Sequence, residues 1–250
     1  MHIFIDCIPS KEYPWDHTPV SSTRNEAPLS LCHVCSSWRR IALQTPGLWT
    51  SLVMEVSPED TMVVPERHSQ VTSFWFSQAG HYLVDLEIGI KDQIVSNERF
   101  STKFMIQLVL PRAKRIRSLH LSFDTLDEIL YFLQYQDDNH HDHVWSFPNL
   151  EYLTLDLVTG RSVGTDMLTA LQFLPKLHTV EIRPVIMYRQ LDIRLPWSQL
   201  TSLTIQELPE APFRVLMTQC LTLETGYFSI DVRSDNNLPT VEVTLERWQV

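Results

Sequence analysis

Two groups of side chains have the residue types that bind metal ions or exchange electrons. The first is a run of three aspartates and three histidines: Asp137, Asp138, His140, His141, Asp142 and His143. Imidazoles and carboxylates are common ligands of zinc and other divalent cations. The histidines lack a His-x-x-x-His spacing, and the run lies in a polar break between a helical pattern and a strand pattern. We therefore predict a solvated loop, with a metal-dependent enzyme as the alternative.

The second group is the Cys-x-x-Cys pair Cys32 and Cys35. A structural zinc site would need a second pair of ligands at a similar spacing, and the sequence contains none. Both cysteines fall on or beside an apolar stripe, where a buried thiol behaves as a small hydrophobic side chain. We predict core cysteines rather than zinc or redox chemistry. Because catalytic and nucleotide-binding motifs are also missing, we predict no enzymatic activity, no cofactor and no metal site.

Composition limits the classes of partner and compartment. The chain has 250 residues with 44% apolar content, enough for a sizeable core, and a formal net charge of −10. Such an acidic balance argues against general binding of nucleic acids. No apolar run has membrane-spanning length, and the N-terminus lacks a signal-peptide pattern. Four cysteines form no disulfide framework at this size. We expect an intracellular protein of the cytoplasm or nucleus, with no membrane partner.

The elements that would position a binding site begin with an amphipathic helix. Apolar residues recur at helical spacing from Leu31 to Ala42, so one stripe of a single helix is expected to be apolar from end to end. Pro46-Gly47 ends the pattern, and Leu48-Trp49 follows as a large apolar anchor. A short helix with this much aromatic surface must pack on another element or another chain.

The sequence of this segment, LCHVCSSWRRIALQTPGLWTSL, resembles the second half of an F-box in the variant common in mushroom-type fungal proteins. Upstream, IFIDCIPS is similar to the end of the first F-box helix, and residues 11–28 to the loop that follows it. The resemblance implies a helical module over residues 1–52 that docks on Skp1, the adaptor of SCF ubiquitin ligases. The residues implied to form its core or its Skp1 surface are Ile3, Phe4, Cys7, Leu31, Val34, Cys35, Trp38, Ile41, Leu48 and Trp49.

One part of the family pattern has no counterpart here. An F-box normally opens with an LP-x-E turn, whereas this sequence begins two residues before Ile3. In the family that turn contributes to the surface that docks on Skp1. A second interpretation is therefore a scaffold or interaction protein whose truncated F-box no longer binds Skp1.

Residues 53–250 carry a repeated strand pattern. Apolar residues occupy relative positions 1, 4 and 6 in units that begin at Ile116, Leu150, Leu177 and Leu200, with a weaker unit at Leu223. This L-x-x-L-x-L spacing is typical of leucine-rich repeats. Helical patterns separate the units, at residues 125–135, 165–174 and 211–220. Before the first unit we expect a strand at 51–56, a short helix that ends at Ala79-Gly80, and a strand at 83–90.

The predicted fold class is α/β: a short helical F-box-like module, 1–52, followed by an irregular leucine-rich-repeat solenoid of strand–helix units, 53–250. Each unit cannot bury its apolar face alone and would stack on its neighbours. An ordinary α/β sheet is the alternative, because it also alternates strands and helices.

The solenoid interpretation predicts a binding face. The apolar positions of each strand point to the core, so the residues between them share the opposite side of the sheet. These residues are polar and of mixed charge, which suits a protein substrate; the alternative is a solvated face that only confers solubility. Together with the F-box resemblance, the face implies a substrate-recognition adaptor of a Skp1–cullin ubiquitin ligase. Its residues are Ser118, His120, Ser122, Tyr152, Thr154, Asp156, Thr179, Glu181, Arg183, Ser202, Thr204 and Gln206.

Overall fold

Successive strands of this chain pair with one another in the order in which they occur along the sequence. The computed structural model describes residues 26–56, 65–90, 106–123, 147–157, 174–183, 195–231 and 241–245. The α-helices within these ranges are α1 (Leu29–Val34), α2 (Ser36–Leu43), α3 (Pro65–Gln78) and α4 (Glu210–Gln219), and residues 106–109 are also helical. The strands are β1 (Ser51–Val56), β2 (Val84–Ile90), β3 (Ile116–Phe123), β4 (Tyr152–Leu157), β5 (Thr179–Arg183), β6 (Ser202–Pro209), β7 (Thr225–Asp231) and β8 (Val241–Leu245).

These strands form one sheet in the order β1 to β8. The first seven are parallel, and β8 runs antiparallel to β7. Parallel neighbours need a crossover connection between them, and α3 and α4 lie in two of these connections. The predicted α/β class is confirmed, with a parallel sheet of seven strands.

The strand predictions hold across the described residues. Strands are present at 51–56 and 84–90 and after each predicted start at 116, 150, 177, 200 and 223. The helix predicted over 211–220 is α4, and α3 ends just before Gly80, whose φ of 61° suits the glycine that commonly follows a helix. The helix predicted over 125–135 and residues 165–173 of the helix predicted over 165–174 lie outside the described residues.

One side of the sheet is a continuous apolar core. In the units that begin at Ile116, Leu150, Leu177 and Leu200, the second and third apolar positions are almost completely buried, as the L-x-x-L-x-L pattern predicts. They belong to a single cluster that extends from Ala27 to Ile230. The predicted boundary at residue 52 falls inside β1. The described helices and the sheet share this core, because residues of both belong to the same cluster. Its sheet residues include Leu86, Ile88, Leu119, Leu121, Leu153, Leu155, Val180, Ile182, Leu203, Ile205, Phe228 and Ile230.

The prediction of one continuous helix from Leu31 to Ala42 is wrong. The backbone is extended at Cys35, with φ −159° and ψ 172°, and separates α1 from α2. The Arg39 side chain stabilises the break, because its Nε donates a hydrogen bond to the carbonyl of Cys32 over 2.8 Å. With the helix broken, residues at helical spacing no longer share one face, and both Leu31 and Ala42 can be buried in the core.

Two tryptophans join these helices to the sheet. The Trp49 indole donates to the carbonyl of Ala42 over 2.9 Å, and the Trp75 indole donates to that of Ser51 over 2.8 Å. Their rings meet edge-on with centroids 4.8 Å apart, and both residues are at most 1% exposed. Each ring therefore contributes buried apolar area while its N–H group finds a partner, as buried indoles require.

A ladder of polar side chains connects successive turns of the chain. Each of its residues directly precedes the first apolar residue of a unit, and each reaches back to the turn before. Asn149 Nδ2 donates to the carbonyl of Lys114, and Gln199 Nε2 donates to the carbonyls of Leu174 and Leu177. The full polar ladder comprises Arg115, Asn149, Lys176, Gln199 and Thr222.

Truncating Gln199 tests the contribution of the polar ladder. We expect Gln199→Ala to lower the free energy of unfolding by about 1–2 kcal/mol, because the turn at Leu177 loses its side-chain donor. Urea denaturation followed by circular dichroism would measure the change. Gln219→Ala, the same truncation at an exposed position of α4, is the control. Equal effects of the two substitutions would contradict a role for the ladder.

Candidate binding face

The polar residues between the leucine positions lie in register across the sheet. One row runs from Glu87 on β2 through His120, Thr154, Glu181 and Thr204 to Tyr227 on β7. A second row contains Ser118, Tyr152, Thr179 and Ser202, and a third contains Ser122, Asp156 and Arg183. We call this side of β2 to β7 the polar face. The structure thus brings together the face residues expected from β3 to β5 and the expected Ser202 and Thr204 of β6. The expected Gln206 lies where the register of β6 with β7 shifts.

Much of the polar face is buried. His120, Thr154, Thr179, Glu181 and Thr204 are each between 6% and 9% exposed. Neighbouring strands lie about 4.8 Å apart, so adjacent side chains in a row cover one another. The remaining predicted residues are half-buried: Ser118, Ser122, Tyr152, Asp156, Arg183, Ser202 and Gln206.

Five ionisable side chains on this face form a group that we call the charged cluster: Glu87, His120, Asp156, Glu181 and Arg183. His120 occupies its centre. Its Nε2 lies 2.7 Å from Asp156 Oδ2, and its Nδ1 lies 3.4 Å from Glu87 Oε1. Burial by itself lowers the pKa of His120, but hydrogen bonds to Asp156 and Glu87 and the charges of both carboxylates raise it to about 9. His120 is therefore an imidazolium ion at neutral pH.

The second pair in the charged cluster is Glu181 with Arg183, two residues apart on β5. The Arg183 guanidinium donates through Nε to the Glu181 carboxylate, which is 7% exposed. This hydrogen bond raises the pKa of Arg183. Burial lowers the same pKa, and the negative charges of Glu181, Asp156 and Glu87 raise it further. Because Asp156 and Glu87 contribute to this shift, the two pairs belong to one electrostatic group.

A third ion pair borders the cluster at the start of β3. Arg117 donates to both carboxylate oxygens of Asp85, over 3.0 and 2.8 Å. Arg117 is the extra residue in a register shift, because Val84 pairs with Ile116 whereas Asp85 pairs with Ser118. The pKa of Arg117 is raised by its hydrogen bonds to Asp85, against the effect of burial. The bidentate geometry fixes the first residues of β2 against the first residues of β3.

Four residues of this site are not among the predicted face residues: Asp85, Glu87, Arg117 and Tyr227. A signal for the first two was present, because Leu83, Leu86 and Ile88 occupy positions 1, 4 and 6 of another unit. Trp49, just before β1, and Leu52 and Met54 within it repeat the same spacing, and all three side chains are buried. Extending the pattern to both segments would have placed β1 and β2 in the sheet, and Glu87 on its polar face.

The polar face concentrates ionisable and hydroxyl side chains on one side of the sheet. The two ring nitrogens of His120 lie near carboxylates: Nε2 forms a hydrogen bond with Asp156, and Nδ1 is within ion-pair distance of Glu87. Within the described ranges, no three His, Cys, Asp or Glu side chains are placed to hold a metal ion. The Asp137 to His143 run lies outside those ranges. What the face offers is a dense, ordered set of hydroxyl, carboxylate and guanidinium groups.

The residues implied by the F-box resemblance divide between core and surface. Leu31, Leu48 and Trp49 are buried, Ile41 is half-buried, and Val34, Cys35 and Trp38 are exposed. Val34 is 59% exposed and Trp38 39%. Ile3, Phe4 and Cys7 lie outside the described residues. α1 and α2 thus each carry one large apolar side chain that is exposed.

The prediction that both cysteines of the Cys-x-x-Cys pair are core residues is wrong for Cys35. Cys32 is buried, but Cys35 is exposed because it lies in the extended break between α1 and α2. Burial raises the pKa of Cys32, although the charge of Arg39 opposes this. Burial likewise raises the pKa of Cys220 to about 11. Both thiols are therefore protonated at neutral pH and poorly reactive.

None of the described helices is long and apolar enough to cross a lipid bilayer. No protein-family model, curated protein or solved structure matches the chain.

Proposed function

We propose that this protein is an F-box-type substrate-recognition adaptor of a Skp1–cullin ubiquitin ligase. In this proposal α1, α2 and the turn at Pro46–Trp49 contribute to the module that contacts a Skp1-like adaptor, and the polar face binds a protein substrate. The chain itself performs no chemistry, and ubiquitin transfer belongs to other subunits. The F-box resemblance of residues 31–52 supports the first assignment.

The observation that carries the proposal is the correspondence between repeat units and strands. Each L-x-x-L-x-L unit provides one strand, the strands follow one another in chain order, and their intervening residues lie in register on one side. We infer that the sheet is the inner surface of a leucine-rich-repeat solenoid, a class of fold that binds other proteins through such a surface.

The polar ladder supports the solenoid interpretation. A repeat that contacts only its neighbours needs bonds between equivalent positions of consecutive units. Asn149, Gln199 and Thr222 occupy the same position in their units and donate to the preceding turn. The backbone repeats the pattern, because the amides of Thr179, Thr201 and Glu224 donate to carbonyls of the preceding unit.

Among the described residues, we expect the adaptor to contact the exposed side chains of Val34 and Trp38. Tryptophan is enriched among residues that dominate protein–protein affinity. We therefore expect Trp38→Ala to weaken binding to purified Skp1 at least about tenfold. Capture of the full chain on immobilised Skp1, followed by titration in solution, would measure the change.

A second exposed aromatic side chain supplies the control. Tyr82 is 47% exposed at the end of the loop after α3, outside the proposed module, so Tyr82→Ala should bind Skp1 like the native chain. Circular dichroism must show that both variants are folded. Failure of the native chain to bind would refute the adaptor function. Binding only by a chain extended with an LP-x-E turn would favour a scaffold protein with a disabled F-box.

A further inference from the structure

The position of His120 between two carboxylates determines its protonation state on geometric grounds. A neutral imidazole has one N–H donor and one lone pair, whereas an imidazolium ion has two donors. Asp156 on β4 faces Nε2, and Glu87 on β2 faces Nδ1. Only the doubly protonated ring turns an N–H group toward both carboxylates, through a hydrogen bond from Nε2 to Asp156 and an ion pair of Nδ1 with Glu87 at 3.4 Å. The neutral ring would turn a lone pair toward one of them.

The neighbouring charges leave His120 as the cation that both carboxylates share. On β5, Arg183 donates to Glu181, and its charge acts on Asp156 and Glu87 from a greater distance. On the other side, the charge of Arg117 is taken up by both oxygens of Asp85. Without the second proton of His120, three carboxylates of the charged cluster would face a single guanidinium.

We propose that His120 is a protonated clasp that joins β2, β3 and β4 across the polar face and opens when the imidazole loses its second proton. Closing the clasp ties the three strands together through side chains, in addition to their backbone ladder. Opening it sets Glu87 and Asp156 against each other, which loosens the polar face at this end of the sheet. The inference concerns the fold itself and does not depend on the proposed ligase function.

The direction of the pH dependence follows from the two states of the ring. The pKa of His120 is about 9 in the folded chain, compared with 6.5 for an unperturbed histidine. The folded chain therefore holds one more proton than the unfolded chain between these values. The stabilising effect is complete below pH 6.5 and is lost as the pH rises through 9. The equilibrium constant of unfolding should rise up to about tenfold per pH unit in this window.

Two measurements test the clasp. Urea denaturation of the native chain between pH 6 and about 9.5 should show the fall in stability, and His120→Gln should flatten it. His178→Gln is the matched control, because the His178 ring instead contacts Tyr152 and the hydroxyl of Thr179. It should retain the native slope. A slope unchanged by His120→Gln would overturn the proposal.

The second measurement needs no variant and remains decisive if His120→Gln does not fold. Nuclear magnetic resonance of the native chain, labelled in its imidazole rings, should show one histidine that titrates near pH 9, with both nitrogens protonated at pH 7.5. If every one of the 10 histidines titrated below about pH 7.5, near the ordinary range of the residue, the clasp would be excluded.

Discussion

Replacing Trp49 with alanine is expected to lower the free energy of unfolding by about 3–5 kcal/mol, because a large, completely buried side chain would leave a cavity. The Trp49 ring contacts Trp75 at 4.8 Å and Phe74 at 5.4 Å, both edge-on, and its indole N–H binds the carbonyl of Ala42. The substitution thus removes apolar area, two aromatic contacts and a buried hydrogen bond. Urea denaturation at pH 7 would measure the loss.

Trp38→Ala is the appropriate control, since it makes the same truncation in the preceding helix. Trp38 is 39% exposed, so its removal creates no closed cavity and should cost less than about 1.5 kcal/mol. Comparable losses in the two variants would contradict the assignment of Trp49 to the core and of Trp38 to the surface. The same comparison shows whether Trp38→Ala is a valid variant for the Skp1 binding experiment.

Breaking the Glu181–Arg183 pair from the arginine side is expected to destabilise the fold by about 3 kcal/mol, as is usual when a buried charge loses its partner. In Arg183→Met, the carboxylate of Glu181 would remain 93% buried with its donor removed. The double variant Glu181→Gln with Arg183→Met should regain most of the stability, because no uncompensated charge remains. Denaturation of the two variants at pH 7 would measure both effects.

The control for this experiment is a pair on the protein surface. Arg214 and Glu210 form an ion pair one turn apart on α4, with side chains 76% and 49% exposed. Arg214→Met should change stability by about 0.5 kcal/mol or less, since water already screens this pair. If Arg183→Met were as mild as Arg214→Met, or if the double variant were no more stable than Arg183→Met, the burial argument would fail.

The strands could be predicted from the sequence because their pattern is local. An apolar residue at positions 1, 4 and 6 identifies the buried side of a strand without knowledge of its neighbours, and it places Ser118, Tyr152 and Thr179 in the same row. The helix break at Cys35 could not be predicted in this way. Helical spacing continues through it, and it depends on a hydrogen bond from Arg39 to Cys32 that exists only in the folded chain.

The charged cluster, too, could be predicted only in part from the sequence. His120 and Asp156 could be placed on one face from the sequence, but their separation of 2.7 Å and the contact of His120 with Glu87 depend on strand register. Glu87 lies in a segment whose own L-x-x-L-x-L pattern becomes evident once β2 is placed in the sheet. The identity of the clasp residues is therefore a property of three strands together and not of any one segment.

The order of the sheet has a consequence for how the protein acquires its structure. Each described strand pairs only with the strands immediately before and after it in the sequence. Contacts in such a sheet have small sequence separations compared with those of a sheet whose first and last strands meet, and this favours fast folding. Each interior strand finds both of its partners in the neighbouring segments of the chain, so assembly can begin at several places and extend in either direction. During synthesis, each strand can join the sheet as soon as it leaves the ribosome, before the remainder of the chain exists.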